Sequence, residues 1–334
     1  MKPFAYLRAA TADHAIDTFT SRAGAQYLAG GTNLVDLMKL GVAAPDLLID
    51  IRRLPFDRIT DTAEGGLNIG AGVRNSDLAA HPGVRSRYPC LSQALLAGAS
   101  GQLRNTATTG GNLLQRTRCP YFQDTTKPCN KRLPGSGCPA REGSHRDLAV
   151  IGHSEHCVAT HPSDMAVALS ALNATVHLYG PEGERALPVT DFHRLPGDRP
   201  EQDTLIRPGE LITAVELPPG PIGVRSRYRK ARDRASYAFA LVSVAAVLEL
   251  EQGDVRYAAL AFGGLAHRPW RARVAEEALH GAPATPENFA RAVEAELAAA
   301  SPLRDNGFKV PLARNLAVSV LTALAPHPNS EDPS

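Results

Sequence analysis

Four cysteines, Cys119, Cys129, Cys138 and Cys157, fall within 39 residues of a 334-residue chain, and the one other cysteine is Cys90. Gaps of nine, eight and eighteen residues separate the four. Structural zinc is usually gripped by paired C-x₂₋₄-C knuckles, and no such knuckle is present. Spread thiolates on an irregular loop suit a cubane, whose corners want ligands from different directions. Pro120, Pro128, Pro134 and Pro139, with Gly135 and Gly137, would stiffen or turn that loop. Histidines 145, 153, 156 and 161 could replace one thiol in a Cys₃His zinc site. Seven basic residues (116, 118, 127, 131, 132, 141 and 146) accompany the segment against Asp124 and Glu142, which suits a negatively charged metal–thiolate group. Spacing and charge alone leave three readings open: an iron–sulfur cluster, zinc, or disulfides and free thiols. Cys90, ahead of an apolar helix, reads as a buried structural thiol.

Two glycine turns adjoin this segment. Leu28-Ala29-Gly30-Gly31-Thr32-Asn33-Leu34 links an expected strand to a helix, and Thr108-Thr109-Gly110-Gly111-Asn112 repeats the recipe with hydroxyls added. Glycine lets backbone approach a ligand without a Cβ in the way. Thr32 or Asn33 could cap the following helix, leaving N–H groups to face a phosphate. Either turn alone is an ordinary connection; as a pair they suit one pyrophosphate. Neither fits the P-loop or the G-x-G-x-x-G fingerprint. Ser163-Asp164 has the form of a helix start, and an acid there could also accept a hydrogen bond from a nucleotide hydroxyl.

The elements that must position these residues read as mixed α/β. Strands are expected at 25–29, 47–51, 67–71, 174–178, 211–217, 238–250 and 255–262, and helices at 33–40, 76–80, 91–99, 164–172, 271–279, 286–299 and 312–324. A stretch rich in Pro, Gly and charge, 180–221, ends the first domain, and residues 327–334 read as a disordered tail. Expected domains are 1–220, with the cysteine insertion at 115–160, and 221–326. A net charge of +2 gives no nucleic-acid footprint. The longest apolar run, 238–248, is too short to span a bilayer, so no membrane insertion is expected. No secretory signal is read at the N-terminus. The expected location is cytoplasmic, or periplasmic if a signal-bearing partner carries the chain out.

Ala29-Gly30-Gly31-Thr32-Asn33-Leu34, Thr108-x-Gly110-Gly111-Asn112 and Pro162-Ser163-Asp164 resemble the FAD-binding subunit of the molybdenum hydroxylases. Phe262-Gly263-Gly264-Leu265-Ala266-His267-Arg268-Pro269-Trp270 is similar to its second domain. The resemblance implies a two-subdomain FAD-binding domain of the vanillyl-alcohol-oxidase-like type, then a smaller α+β domain. It implies FAD contacts at Leu28, Ala29, Gly30, Gly31, Thr32, Asn33, Leu34, Thr108, Gly111, Asn112 and Asp164, and a basic position near the flavin at Lys230. Most of the family runs directly from the second turn to the Asp164 helix, whereas about 40 residues intervene here. Similar insertions carry a [4Fe–4S] cluster in the flavin subunits of periplasmic aldehyde oxidoreductase and 4-hydroxybenzoyl-CoA reductase, and the segment from Cys129 to Cys138 is closer to the first. By that likeness Cys119, Cys129, Cys138 and Cys157 ligate the cluster. The expected partners are a small [2Fe–2S] subunit, a large molybdopterin-binding subunit and an external electron acceptor. The expected function is electron transfer within an aldehyde oxidoreductase. The alternatives are a 4-hydroxybenzoyl-CoA reductase-like enzyme and a zinc-stapled, non-redox docking module.

Overall fold

The structure, a computed structural model, describes residues 1–220 and 225–325. Its strands form three sheets. The first is parallel, with β1 (Ala5–Arg8), β2 (Ala25–Leu28) and β3 (Leu47–Asp50) in the order β1-β3-β2. Parallel neighbours need crossovers, supplied by the helices Ala12–Ser21 and Leu34–Lys39. Thr11 starts the former by accepting the His14 N–H at its hydroxyl.

The second sheet is antiparallel: β4 (Ile59–Asp61), β5 (Leu67–Gly70), β6 (Thr175–Gly180), β7 (Gly183–Pro188) and β8 (Leu211–Leu217), ordered β4-β5-β8-β6-β7. The late strand β8 therefore sits in the middle, which fits its almost continuous apolar sequence LITAVEL. The third sheet, order β12-β11-β10-β9, comprises β9 (Arg225–Ala231), β10 (Val242–Glu251), β11 (Asp254–Gly263) and β12 (Trp270–Arg271).

Strand β10 explains how the two halves cohere. Its side chains alternate between faces with period two. Val242, Val244, Ala246 and Leu248 join a core with the helices Arg273–Leu279, Pro286–Leu297 and Lys309–Leu324; Ala245 and Val247 join the core of the second sheet. The helix Asp164–Ala171 belongs to that second core, buried at all eight residues and apolar apart from Asp164 and Ser170. Each fully buried Leu or Val here contributes about 1.5–3 kcal/mol. The cysteine segment makes its own small core from Leu37, Phe122, Ala140, Leu148, Val158 and the thiols.

Several elements depart from expectation. Strand β7 reads GERALP and has a mostly exposed edge, so it shows no apolar alternation. Strand β9, RSRYRKA, alternates exposed arginines with buried Ser226 and Tyr228, a pattern masked by its charge. Strand β10 starts at Val242 rather than 238, because its neighbour β9 ends at Ala231, opposite Val242, and offers residues 238–240 no ladder to join. The expected tail, 327–334, lies outside the described residues, as do residues 221–224 at the expected domain boundary. No helix among the described residues is long and apolar enough to cross a membrane.

Candidate functional site

The two glycine turns meet backbone to backbone. A Cβ on Gly30 would stand 2.1 Å from the Thr106 carbonyl oxygen, so only glycine permits the approach. Gly31 takes φ +71°, a left-handed backbone that glycine adopts without a Cβ clash. Among the described residues, no intramolecular backbone acceptor takes the N–H groups of Gly30, Gly31, Thr32, Asn33 or Leu34. Asn33 does not cap the helix: its side-chain oxygen accepts the Arg116 N–H at 2.8 Å, tying the turn to the start of the cysteine segment.

The second turn is built differently. Thr108 caps the short helix Thr109–Leu113 by accepting the Gly111 N–H at 3.2 Å. The Thr109 and Gly110 amides donate to the Val73 and Ala71 carbonyls, and the Asn112 amide to Thr108. The expectation of two equivalent donor loops is thus corrected: the first turn keeps its amides free and the second spends them on the fold. What the second turn offers is side chains. Asn112 accepts the Ser163 hydroxyl at 2.5 Å, and Ser163 in turn caps the central helix at Ala166.

The first turn is the wall between two cavities. One, of about 990 Å³, is lined by Gly30, Gly31, Thr32, Asn33, Gly111, Asn112, Asp164 and Lys230. The other, of about 1200 Å³, shares Gly30, Gly31, Thr32, Asn33 and Gly111 and adds Ala29, Leu34 and Thr108. Every expected nucleotide contact except Leu28 borders one or both; Leu28 lies outside the cavities beneath Gly31. A long dinucleotide with its pyrophosphate at the shared wall fits this shape, and the free amides fit its charge.

Asp164 and Lys230 form a buried ion pair at 2.7 Å on the wall of the first cavity. Lys230 also donates to the Ala97 carbonyl at 3.0 Å. The other Asp164 oxygen accepts the Tyr228 hydroxyl at 2.6 Å, and burial with the carboxylate alongside pushes the Tyr228 phenol well up. Asp164 first holds Lys230 and Tyr228; its remaining lone pairs face the cavity. The sequence carried no signal for Tyr228, because β9 was not legible.

The four cysteines line one small pocket with Lys131, His156 and Phe122. None of the chain's five cysteines is in a disulfide. Burial, with the neighbouring thiols adding to it, pushes Cys119 up to about 12 and Cys157 to about 11, with Lys131 opposing at Cys157. Among the described residues no three His, Cys, Asp or Glu side chains converge tightly enough for a single metal ion. Three of the four expected histidine substitutes are committed elsewhere. His145 accepts the Asp305 amide, His153 bonds Ser301, and His161 accepts the Ser163 amide and packs on His193 with ring centroids 4.3 Å apart. Cys119 borders both the cysteine pocket and the first cavity. Cys90 is fully buried, as expected, and burial raises it to about 12.

Residues 2–220 match the family model "FAD binding domain in molybdopterin dehydrogenase", and residues 226–324 match "CO dehydrogenase flavoprotein C-terminal domain". The aldehyde oxidoreductase FAD-binding subunit PaoB of Escherichia coli is 54% identical over 323 residues, covering 96% of this chain and 98% of that one. The chain belongs to the FAD-binding medium subunits of the molybdenum hydroxylases. The glyceraldehyde dehydrogenase medium chain of Sulfolobus acidocaldarius is 30% identical over 83% of this chain and 81% of its own length. Among solved structures, carbon monoxide dehydrogenase from Hydrogenophaga pseudoflava superposes with a TM-score of 0.77, covering 97% of this chain and 98% of that one at 25% identity.

The chain is thus an FAD-binding subunit of an oxidoreductase. The reading of a non-redox docking module is overturned by that membership. The mixed α/β fold expected of the family is the fold observed.

Proposed function

We propose that the protein is the FAD- and [4Fe–4S]-containing electron-transfer subunit of a molybdenum-dependent aldehyde oxidoreductase, with a [2Fe–2S] subunit and a molybdopterin-binding subunit as partners. The observation that carries this is Cys119, common to the cysteine pocket and the FAD cavity. A redox group held there would sit one side chain from the flavin. The aldehyde assignment is supported by the likeness to PaoB over nearly the whole chain.

When bound, FAD supplies exchange of one or two electrons, which lets a one-electron donor meet an external acceptor. The chain's residues do the rest. The amides of Gly30, Gly31, Thr32, Asn33 and Leu34 are placed to hold the pyrophosphate, and the backbone of Thr106 and Ala107 packs against Gly30. Asp164 fixes the position of Lys230 at the cavity wall, where the pair would border the bound cofactor. Cys119 and Cys157 are buried and Cys129 and Cys138 half-buried around one small pocket, an arrangement that suits the several corners of a cubane. A zinc ion with bonds of about 2.3 Å would draw all four sulfurs onto a single centre.

The test is the iron, acid-labile sulfide, zinc and flavin content of the purified complex, with its visible spectrum. The expected result is about four irons and one FAD for this subunit, in addition to the partner's clusters. Cys129→Ser should remove the corresponding EPR signal from the reduced protein. A wild-type subunit with zinc and no iron at these cysteines overturns the cluster. Turnover of aromatic acyl-CoA thioesters in place of aldehydes overturns the substrate class.

A further inference from the structure

The ten-residue connection between β9 and β10, 232–241, walls the FAD cavity through Asp233, Arg234, Tyr237, Phe239 and Leu241. Tyr237 and Phe239 are half exposed, and Tyr237 holds a left-handed backbone with φ 52°. A connection of this length, with exposed aromatics and a strained residue, needs external fastening to keep one shape. Arg232, at its root, is tied to the Ala97 carbonyl, and the Leu241 amide to Ala231. Arg234 braces the tip by donating to the Tyr237 carbonyl at 3.0 Å.

Gly264 packs on the Ala240 and Leu241 carbonyls, and two side-chain fastenings come from the cysteine segment. Arg146 forks onto Asp233 with two N–H···O contacts of 2.9 Å, while its guanidinium rests 5.2 Å from the Phe308 ring centre. Arg118, next to Cys119, lies 5.0 Å from the Phe239 ring centre and pairs with Asp36 at 3.2 Å, on the helix that follows the first glycine turn. Arg118 precedes the first cysteine, Arg146 lies between Cys138 and Cys157, and the two grip opposite ends of the connection.

We propose that the cysteine segment latches the wall of the FAD cavity: Arg146 and Arg118 are positioning residues that hold 233–241 closed, so the order of the four-cysteine pocket sets access to the flavin. The proposal rests on the flavin reading of the cavity, and its second part rests on the cluster reading. An exposed bidentate pair and a cation–π contact are weak ties, so losing either alone changes opening only a few-fold. That is enough to gate an acceptor without being needed for folding.

Hydrogen exchange of the 233–241 amides, followed by mass spectrometry on the full complex with and without FAD, is the test. Arg146→Ala should speed exchange there several-fold and leave β10 and β11 unchanged. Arg146→Asp combined with Asp233→Arg should restore the slow rate, a rescue that general loosening would not give. In the FAD-loaded complex, Arg146→Ala should also raise the rate of flavin reoxidation by a small quinone. Exchange at 233–241 unaltered by Arg146→Ala overturns the latch. If Arg146→Ala loosens the whole chain, the swap decides: failure to recover a slow 233–241 also overturns it. Cys129→Ser, which touches none of these contacts, should reproduce the faster exchange. If it does not while Arg146→Ala does, the latch stands and its dependence on the cluster falls.

Discussion

The pair Asp164–Lys230 gives the most direct check on the site, because both side chains are almost wholly buried and the contact is short. Asp164 and Lys230 expose 8% and 3% of their side chains, at 2.7 Å. Removing one partner of such a pair leaves an uncompensated buried charge, at about 3–5 kcal/mol. Lys230→Met strands a carboxylate whose remaining contact is the Tyr228 hydroxyl at 2.6 Å. Asp164→Asn keeps a partner for that hydroxyl and strands the ammonium, with the Ala97 carbonyl at 3.0 Å as its remaining contact. Each single change should therefore cost about 3 kcal/mol or more. The double change removes both charges together and should cost much less than the sum, with a coupling energy of about 2–3 kcal/mol. Urea midpoints of the isolated subunit, at constant m-value, measure this. A coupling below about 0.5 kcal/mol would refute the buried pair. The same four proteins, loaded with FAD, separate two roles for Lys230. If the double variant recovers stability but not flavin affinity, the lysine's charge acts on the cofactor as well as on Asp164.

Gly30→Ala places a Cβ 2.1 Å from the Thr106 carbonyl oxygen, so the turns must part; FAD content should fall at least tenfold, and full flavin occupancy would show that the two loops need not touch. Lys309 is fully buried with only the Leu148 and Gly264 carbonyls at 2.9 and 2.8 Å, and burial pushes it down to about 7. Between that value and the ordinary lysine range the unfolded chain binds the extra proton, so Lys309 makes stability rise with pH above 7 and has no effect on the slope below it. The stability difference between wild type and Lys309→Met should grow by up to about 1.4 kcal/mol per pH unit from pH 7 to 9. A difference independent of pH in that window would mean that the buried lysine stays charged.

The glycine turns, the central helix and the cysteines were legible in the sequence because each is local. A strand–Gly-Gly–helix junction announces itself within seven residues, and a largely apolar helix such as Asp164–Ala171 within eight. What escaped was non-local. Strand β9 is visible as a strand only once the helix Pro89–Ala97 covers Ser226 and Tyr228; in sequence it is a run of arginines. The Asp164–Tyr228–Lys230 group spans two elements more than 60 residues apart, and no periodicity reports such a meeting. The asymmetry of the turns was hidden for the same reason. Whether an amide is free depends on Ala71 and Val73, which lie far from Gly110 and Thr109 in the chain.

The basic residues of the cysteine segment show how far charge counting carries. Seven cations against two acids looked like a counter-charge for a metal–thiolate group. In the fold most are occupied elsewhere. Arg116 and Lys131 pair with Asp203, Arg118 with Asp36, and Arg146 with Asp233. Arg132 donates to the Tyr121, Phe122 and Lys127 carbonyls, and Arg141 to the Ser154 carbonyl. Lys131 alone of the seven lines the thiol pocket, and its charge opposes burial at Cys157. Because Asp203 offsets that lysine, the field at the thiols is far weaker than seven charges suggest. The segment's arginines act mainly as mechanical ties, to its own carbonyls and to the FAD domain. A cluster bound here would be tuned by one buried lysine and held by the remainder of the loop.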